Sequence, residues 1–124
     1  MRPRPSQPVI TWLVANDHLL ALSSVVVAEI AFGIERIRHD ERSPRLQAGL
    51  DDWRRRFSGR IYGFDEDAAL IYSRIMGTAR RKGLVLDAPD GMIAAIALRH
   101  DSSVATRNIE HFSPCGVQTV NPWN

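Results

Sequence analysis

The feature that most constrains this chain is an alternation, in which short runs of strand-forming residues are separated by longer stretches with helical periodicity. Such an order predicts an α/β layer structure around a mainly parallel sheet, with helices carrying the chain from one strand to the next. The length of 124 residues suits one domain, long enough to bury a core without disulfides or structural metal.

After a Pro-rich opening, Val9–Val14 reads as a short helix with Ser6 as its cap, and Leu19–Leu22 as a short strand. Ser23 or Ser24 can then cap a helix over Val25–Ile37, which places Val26, Ile30, Gly33 and Ile37 on one side. The next helix spans about Pro44–Phe57, with Leu46, Leu50, Trp53 and Phe57 at helical spacing. Ile61–Phe64 is a strand. Asp65-Glu66-Asp67 opens a helix with the inner stripe Ala68, Tyr72, Ile75 and Ala79, closed by Arg80-Arg81-Lys82 and Gly83. Acids at the positive end of the helix dipole and bases at the negative end support that placement. Asp87–Asp90 starts a further helix that runs to about His100, with Pro89 in its first turn. Ser103–Ala105 and Val117–Val120 are the last strand candidates, joined through Asn108–Phe112.

Composition excludes several classes. The one cysteine, Cys115, rules out an internal disulfide and fits a reducing compartment. No signal peptide follows the basic amino terminus, and the apolar region Leu19–Ile34 is too short for a bilayer and carries Glu29. A cytoplasmic protein without membrane contact is therefore expected. Fifteen of the sixteen basic residues are Arg, with Lys82 the exception. A planar guanidinium matches phosphate, so the bias is compatible with RNA, although an Arg-rich genome gives the same bias. Zinc-type Cys/His spacing, a Walker loop, G-x-S-x-G and G-x-G-x-x-G are all missing from the sequence.

Function shows where acids break the pattern. Glu29 sits three and four residues from Val26, Val25, Phe32 and Gly33, so its carboxylate projects from an apolar flank. A charge there needs a partner, a metal or a proton, and an Arg partner or a boundary position accounts for it equally well. Asp90 precedes Ile93 and Ala97 on the buried stripe of its helix, but as a first-turn acid it can also serve as a cap, as can Asp87. The polar cluster Thr106-Arg107-Asn108 follows a strand and would reach the carboxyl edge of a parallel sheet, where ligands bind. Two carboxylates and a polar oxygen suit Mg2+ or Mn2+ rather than zinc. Arg54-Arg55-Arg56 could touch phosphate, yet they occupy the outer face of the Trp53 helix.

These same residues carry a family resemblance. Leu22–Ile34, Asp87–Ala97, Val104–Asn108 and Val120–Trp123 resemble, in order and spacing, the conserved blocks of FitB- and VapC-type PIN domains. The resemblance runs from about Pro8 to Trp123. It implies a PIN-like three-layer fold with a twisted, mainly parallel sheet, a single domain over 1–124, and acids gathered at the carboxyl edge. It also implies Mg2+ or Mn2+, endonucleolytic cleavage of RNA, a cognate antitoxin and a homodimer. Glu29 and Asp90 correspond to family acids, and Asn108 to a position that is often Asp. These three are the expected catalytic and metal-binding residues, with Asp87 and Thr106 in support.

One departure accompanies the match. Family members open with a strand ending in Asp, whereas the first acid here is Asp17, beyond the first expected helix. The expectation is a domain truncated at its amino terminus, lacking the central first strand, with impaired activity. The competing expectation is a catalytically inactive module that still binds an antitoxin or partner subunit.

Overall fold

The computed structural model describes residues 22–105 and 109–120. The expected Val9–Val14 helix, most of Leu19–Leu22, and the Thr106–Asn108 cluster lie outside that set, as does the question of the first strand. The elements in order are β1 (Leu22–Ser23), α1 (Ser24–Arg36), α2 (Ser43–Arg56), β2 (Ile61–Tyr62), α3 (Glu66–Arg81), α4 (Ala88–Arg99), β3 (Val104–Ala105), α5 (Ile109–Phe112), a 3-10 turn (Ser113–Cys115) and β4 (Thr119–Val120).

The strands pair in parallel, as the alternation predicts, but as two separate pairs among the described residues. Leu22 stands opposite Ile61 and Ser23 opposite Tyr62; Val104 stands opposite Thr119 and Ala105 opposite Val120. Each strand is only two residues long, shorter than Ile61–Phe64 or Val117–Val120 had suggested.

Capping sets the helix boundaries. The Ser23 hydroxyl accepts from the Val26 N–H at 3.1 Å, and the Asp65 carboxylate accepts from the Ala68 N–H at 2.8 Å. Each satisfies one of the four donors that a helix start leaves without a partner. At the far end of α3, Gly83 adopts φ 69°, a left-handed conformation that a residue with a Cβ resists. There the Leu84 N–H reaches the Ala79 carbonyl at 2.8 Å and the Gly83 N–H reaches Arg80 at 3.1 Å. That pair of reversed bonds is the Schellman closure.

The main core is small-residue packing between α3 and α4. Ala68, Ile75, Ala94, Ala95, Ile96 and Ala97 are buried together with Val104, Phe112 and Cys115. Ala68, Ile75 and Ala79 of the expected α3 stripe are buried, with Tyr72 partly so. A second cluster surrounds Phe57, packed by Val26, Val27 and Ile61 where α1 and α2 meet β2. Burying a side chain of that size contributes about 1.5–3 kcal/mol.

Two expectations need correction. Trp53 keeps 42% of its surface exposed, because it stacks on Phe57 at 5.6 Å and covers that residue rather than being covered. Phe32 is 64% exposed, so the flank of α1 that carries Glu29 faces outward over much of its width.

Candidate active site

Glu29 lies in the second turn of α1, a helix fixed at its start by the buried Ser23. Its carboxylate is exposed, which corrects the expectation of a charge held within an apolar environment. An exposed carboxylate carries little desolvation cost, so Glu29 needs no buried counter-charge. The helix places it instead beside exposed Ala28 and Phe32, open to a ligand from solvent.

Asp90 is held differently. It is half-buried in the first turn of α4, where the unsatisfied N–H groups of the helix favour negative charge. Asp87 occupies the cap position in extended conformation, but its side chain makes no capping bond and is exposed. Capping therefore does not account for Asp87. Its carbonyl does the backbone part, accepting from the Gly91 N–H at 3.0 Å.

Gly91 brings the α4 terminus close to α3. A Cβ at this position would stand 2.8 Å from the Met76 sulfur and 3.1 Å from the Tyr72 ring. Tyr72 is in turn set edge-on to Phe64, with centroids 5.5 Å apart at 90°. The absence of a side chain at Gly91 thus fixes how near Asp90 comes to the core. Sequence reasoning did not single out Gly91; a glycine inside a helical first turn was the available signal.

Cys115 was also missed as a neighbour of the site. Burial pushes its thiol pKa up, and the negative charge of Asp90 pushes it further the same way. Both effects disfavour the thiolate, the reactive form of a cysteine. The 3-10 turn that carries Cys115 packs against α4, the helix whose first turn bears Asp90.

Helices α1 and α4 pack against each other, so the elements that carry Glu29 and Asp90 are direct neighbours. Among the described residues, no three acidic, His or Cys side chains gather tightly enough to hold a metal. Asn108 and Thr106, the remaining expected contributors, lie outside the described residues. As donors, Glu29, Asp90 and Asn108 offer only oxygen, which fits a hard cation and not a thiophilic one. At the other end of α4, Arg99 pairs with Asp67 at 3.3 Å and Asp65 at 4.0 Å. His100 stacks on Tyr62 at 3.7 Å. These contacts tie α4 to α3 and β2, and so hold the helix whose first turn bears Asp90.

Comparison with known proteins identifies the family and the fold. The PIN domain model matches residues 2–113. Toxin FitB of Neisseria gonorrhoeae is 36% identical, over 100% of this chain and 91% of its own length. VapC ribonuclease Y4jK of Sinorhizobium fredii is 34% identical, over 98% of this chain and 89% of its own. The crystal structure of FitAcB from Neisseria gonorrhoeae superposes with a TM-score of 0.85 at 36% identity, covering 99% of this chain and 90% of the solved one. With a fold of helices around parallel strands and an acid at the first turn of α4, this chain belongs to the PIN-domain family, among relatives named as FitB and VapC toxins.

Proposed function

We propose that this chain is a metal-dependent endoribonuclease toxin whose activity is held in check by a cognate antitoxin. The observation that carries the reading is Asp90, a half-buried carboxylate at a helix amino terminus, on a helix that packs against the one bearing Glu29. The ribonuclease name of a relative 34% identical over nearly the whole chain supports the reaction class. The paired name of the solved FitAcB relative supports a protein partner.

Glu29 and Asp90 would hold Mg2+ or Mn2+, with Asn108 adding a neutral oxygen and Asp87 and Thr106 in support. A bound divalent cation supplies Lewis acidity at the phosphate and lowers the pKa of water in its coordination sphere. The rest of the task falls to the chain. Asp90 is oriented by the first turn of α4, and Glu29 is presented to solvent where an RNA strand can approach. Two carboxylates neutralise one divalent cation, and Asn108 brings no charge for a second. Activity in the chain of 124 residues is therefore proposed to be impaired relative to a site with three or four acids. The proposed activity is on RNA, as a homodimer in the cytoplasm.

The second reading is an inactive module that binds an antitoxin or partner subunit, supported by the paired name of the solved FitAcB relative. One assay separates the two. Purified protein is incubated with RNA and Mg2+ or Mn2+, with and without EDTA, beside Asp90→Asn and Glu29→Gln. The nuclease reading expects EDTA-sensitive cleavage that each variant lowers by at least tenfold, with unchanged folding. Cleavage that survives both substitutions would remove these residues from the site. No cleavage by the parent chain, together with intact antitoxin binding, would favour the second reading.

A further inference from the structure

Along α1 one flank changes character at Glu29. Val25, one turn earlier, is partly buried against the main core, whereas Glu29, Phe32 and Arg36 are all exposed. At about 100° per residue the three lie within roughly 60° of one another around the helix and span roughly 10 Å along it. Residues three and four apart are surface neighbours, so they form one continuous row. Phe32 keeps 64% of its surface exposed. The Arg36 guanidinium stands 5.9 Å from the centroid of the Phe32 ring. That is the outer limit of a cation–π contact, about 6 Å, so the guanidinium is not clamped onto the ring. Glu35, the acid beside Arg36 in the chain, pairs with Arg38 at 3.8 Å.

We infer that this flank is a track for single-stranded RNA leading away from Glu29, on which Phe32 stacks a nucleobase and Arg36 meets a phosphate. The reacting phosphate lies beside Glu29, as the nuclease reading, on which the inference rests for that placement alone, has it. The surroundings of the ring define the occupant. A protein interface buries an aromatic side chain within a contiguous apolar patch and keeps charge to the rim. Phe32 has no such patch along its helix. Its neighbours three and four residues away are Glu29, Glu35, Arg36 and Ala28, all exposed, and Ala28 alone is apolar. A nucleobase asks for less, namely one accessible aromatic face and a cation for the adjoining phosphate. Glu29 repels the backbone unless a cation lies between them, so attraction for phosphate on this flank falls to Arg36. Every base has a π-face, so the track adds affinity and orientation rather than a choice of sequence. Stacking one base on one ring corresponds to roughly five- to 150-fold in affinity.

The probe is a fluorescein-labelled RNA hexamer, with an abasic hexamer of the same backbone as control. Binding to the 124-residue protein is read by fluorescence polarisation at low salt in EDTA, so that no strand is cut. The intact hexamer is expected to bind about fivefold or more tighter than the abasic one. Phe32→Leu, which keeps apolar surface but lacks the ring, should remove that contrast. Phe32→Trp should keep it, and the added indole emission, taken as the difference from the parent, should be quenched by the intact hexamer and not by the abasic one. If Phe32→Leu does not fold, the quenching still decides. Arg36→Gln should weaken both strands alike and reduce the slope of log affinity against log salt by about 0.7. Equal binding of the two strands by the parent would overturn the inference, as would a contrast that survives Phe32→Leu, or no binding at all. Loss of a dimer by Phe32→Leu in sedimentation velocity, with RNA binding unchanged, would assign the ring to a second copy and overturn it as well. Cleavage in Mg2+ or Mn2+ is scored separately. Base-dependent binding without cleavage would sink the nuclease reading and leave the track; cleavage without base-dependent binding would do the reverse.

Discussion

Replacing Gly91 by alanine sets two effects of opposite sign against each other. Alanine in a helix is favoured over glycine by about 0.8–1.0 kcal/mol. Against this, the added methyl would lie 2.8 Å from the Met76 sulfur and 3.1 Å from the Tyr72 ring, closer than van der Waals contact allows. Met76 can turn aside, but Tyr72 is held by its edge contact with Phe64, and Gly91 is itself buried. Overfilling a packed core costs about 1–3 kcal/mol, so the expected net loss is roughly 1 kcal/mol. For a chain of this length that corresponds to a fall in Tm of about 3–5 °C. The control is Gly49→Ala on α2, where nothing lies within 4 Å of the new methyl. It should gain about 0.5–1 kcal/mol. Urea and thermal unfolding measure both. A further arm combines Gly91→Ala with Met76→Ala, where the cost of the methyl should shrink if the sulfur is what it strikes. Were Gly91→Ala to stabilise the protein as Gly49→Ala does, the close approach of α4 to α3 would be refuted, and with it the account of how Asp90 is positioned.

Other expectations concern caps and the thiol. Ser23→Ala and Asp65→Ala should each lower stability by about 0.5–2 kcal/mol, measured by urea unfolding, while Asp65→Asn should recover most of the loss. Cys115 has a folded-state pKa above its unfolded value, so stability should be intact below the unfolded thiol pKa and decline as pH rises through the folded one. Equilibrium unfolding between neutral and alkaline pH, compared with Cys115→Ser, isolates that contribution. Asp90→Asn removes one cause of the upward shift, and should speed alkylation of Cys115 at fixed alkaline pH. An unchanged rate would mean that the carboxylate is not close to the sulfur.

Local chemistry made most of the helices legible. Ser23 and Asp65 were readable as helix starts because an oxygen just before an apolar period has one common use. Gly83 was readable as a stop because a left-handed residue favours glycine. Boundaries consequently fall within about a residue or two of expectation, as terminal turns allow. What periodicity could not say is which element covers a given face. The Val25, Val26 and Phe32 positions around Glu29 have the right phase for burial, yet Phe32 and Glu29 are exposed. Trp53 has the same phase as Leu50 and Phe57, but it stays 42% exposed while stacking on Phe57. Asp90 was legible as a candidate from its place on the stripe. Its closeness to Cys115 was not, since it depends on how the turn Ser113–Cys115 packs back onto α4. Strand pairing escaped for a similar reason: two-residue strands carry too little sequence to declare their neighbours.

The spacing of those pairs along the chain bears on the order in which the molecule assembles. Helices α3 and α4 are consecutive, and their mutual contact is the most extensive in the fold. Closing the short connection between them costs little entropy, so this hairpin of helices is expected to form early. The β3–β4 pair spans only α5 and the turn after it. Leu22 meets Ile61 only after α1 and α2 have been traversed, the longest loop closed by any strand pair described here. By the same loop-closure argument, β1 and the start of the Glu29 helix are expected to be anchored late, whereas Asp90 sits on the part expected to form early. The two halves of the candidate site differ in kinetic standing. Brief opening of β1 would free the Glu29 helix while Asp90 remained in place, and a partner able to capture that opened form would find half of the site already built.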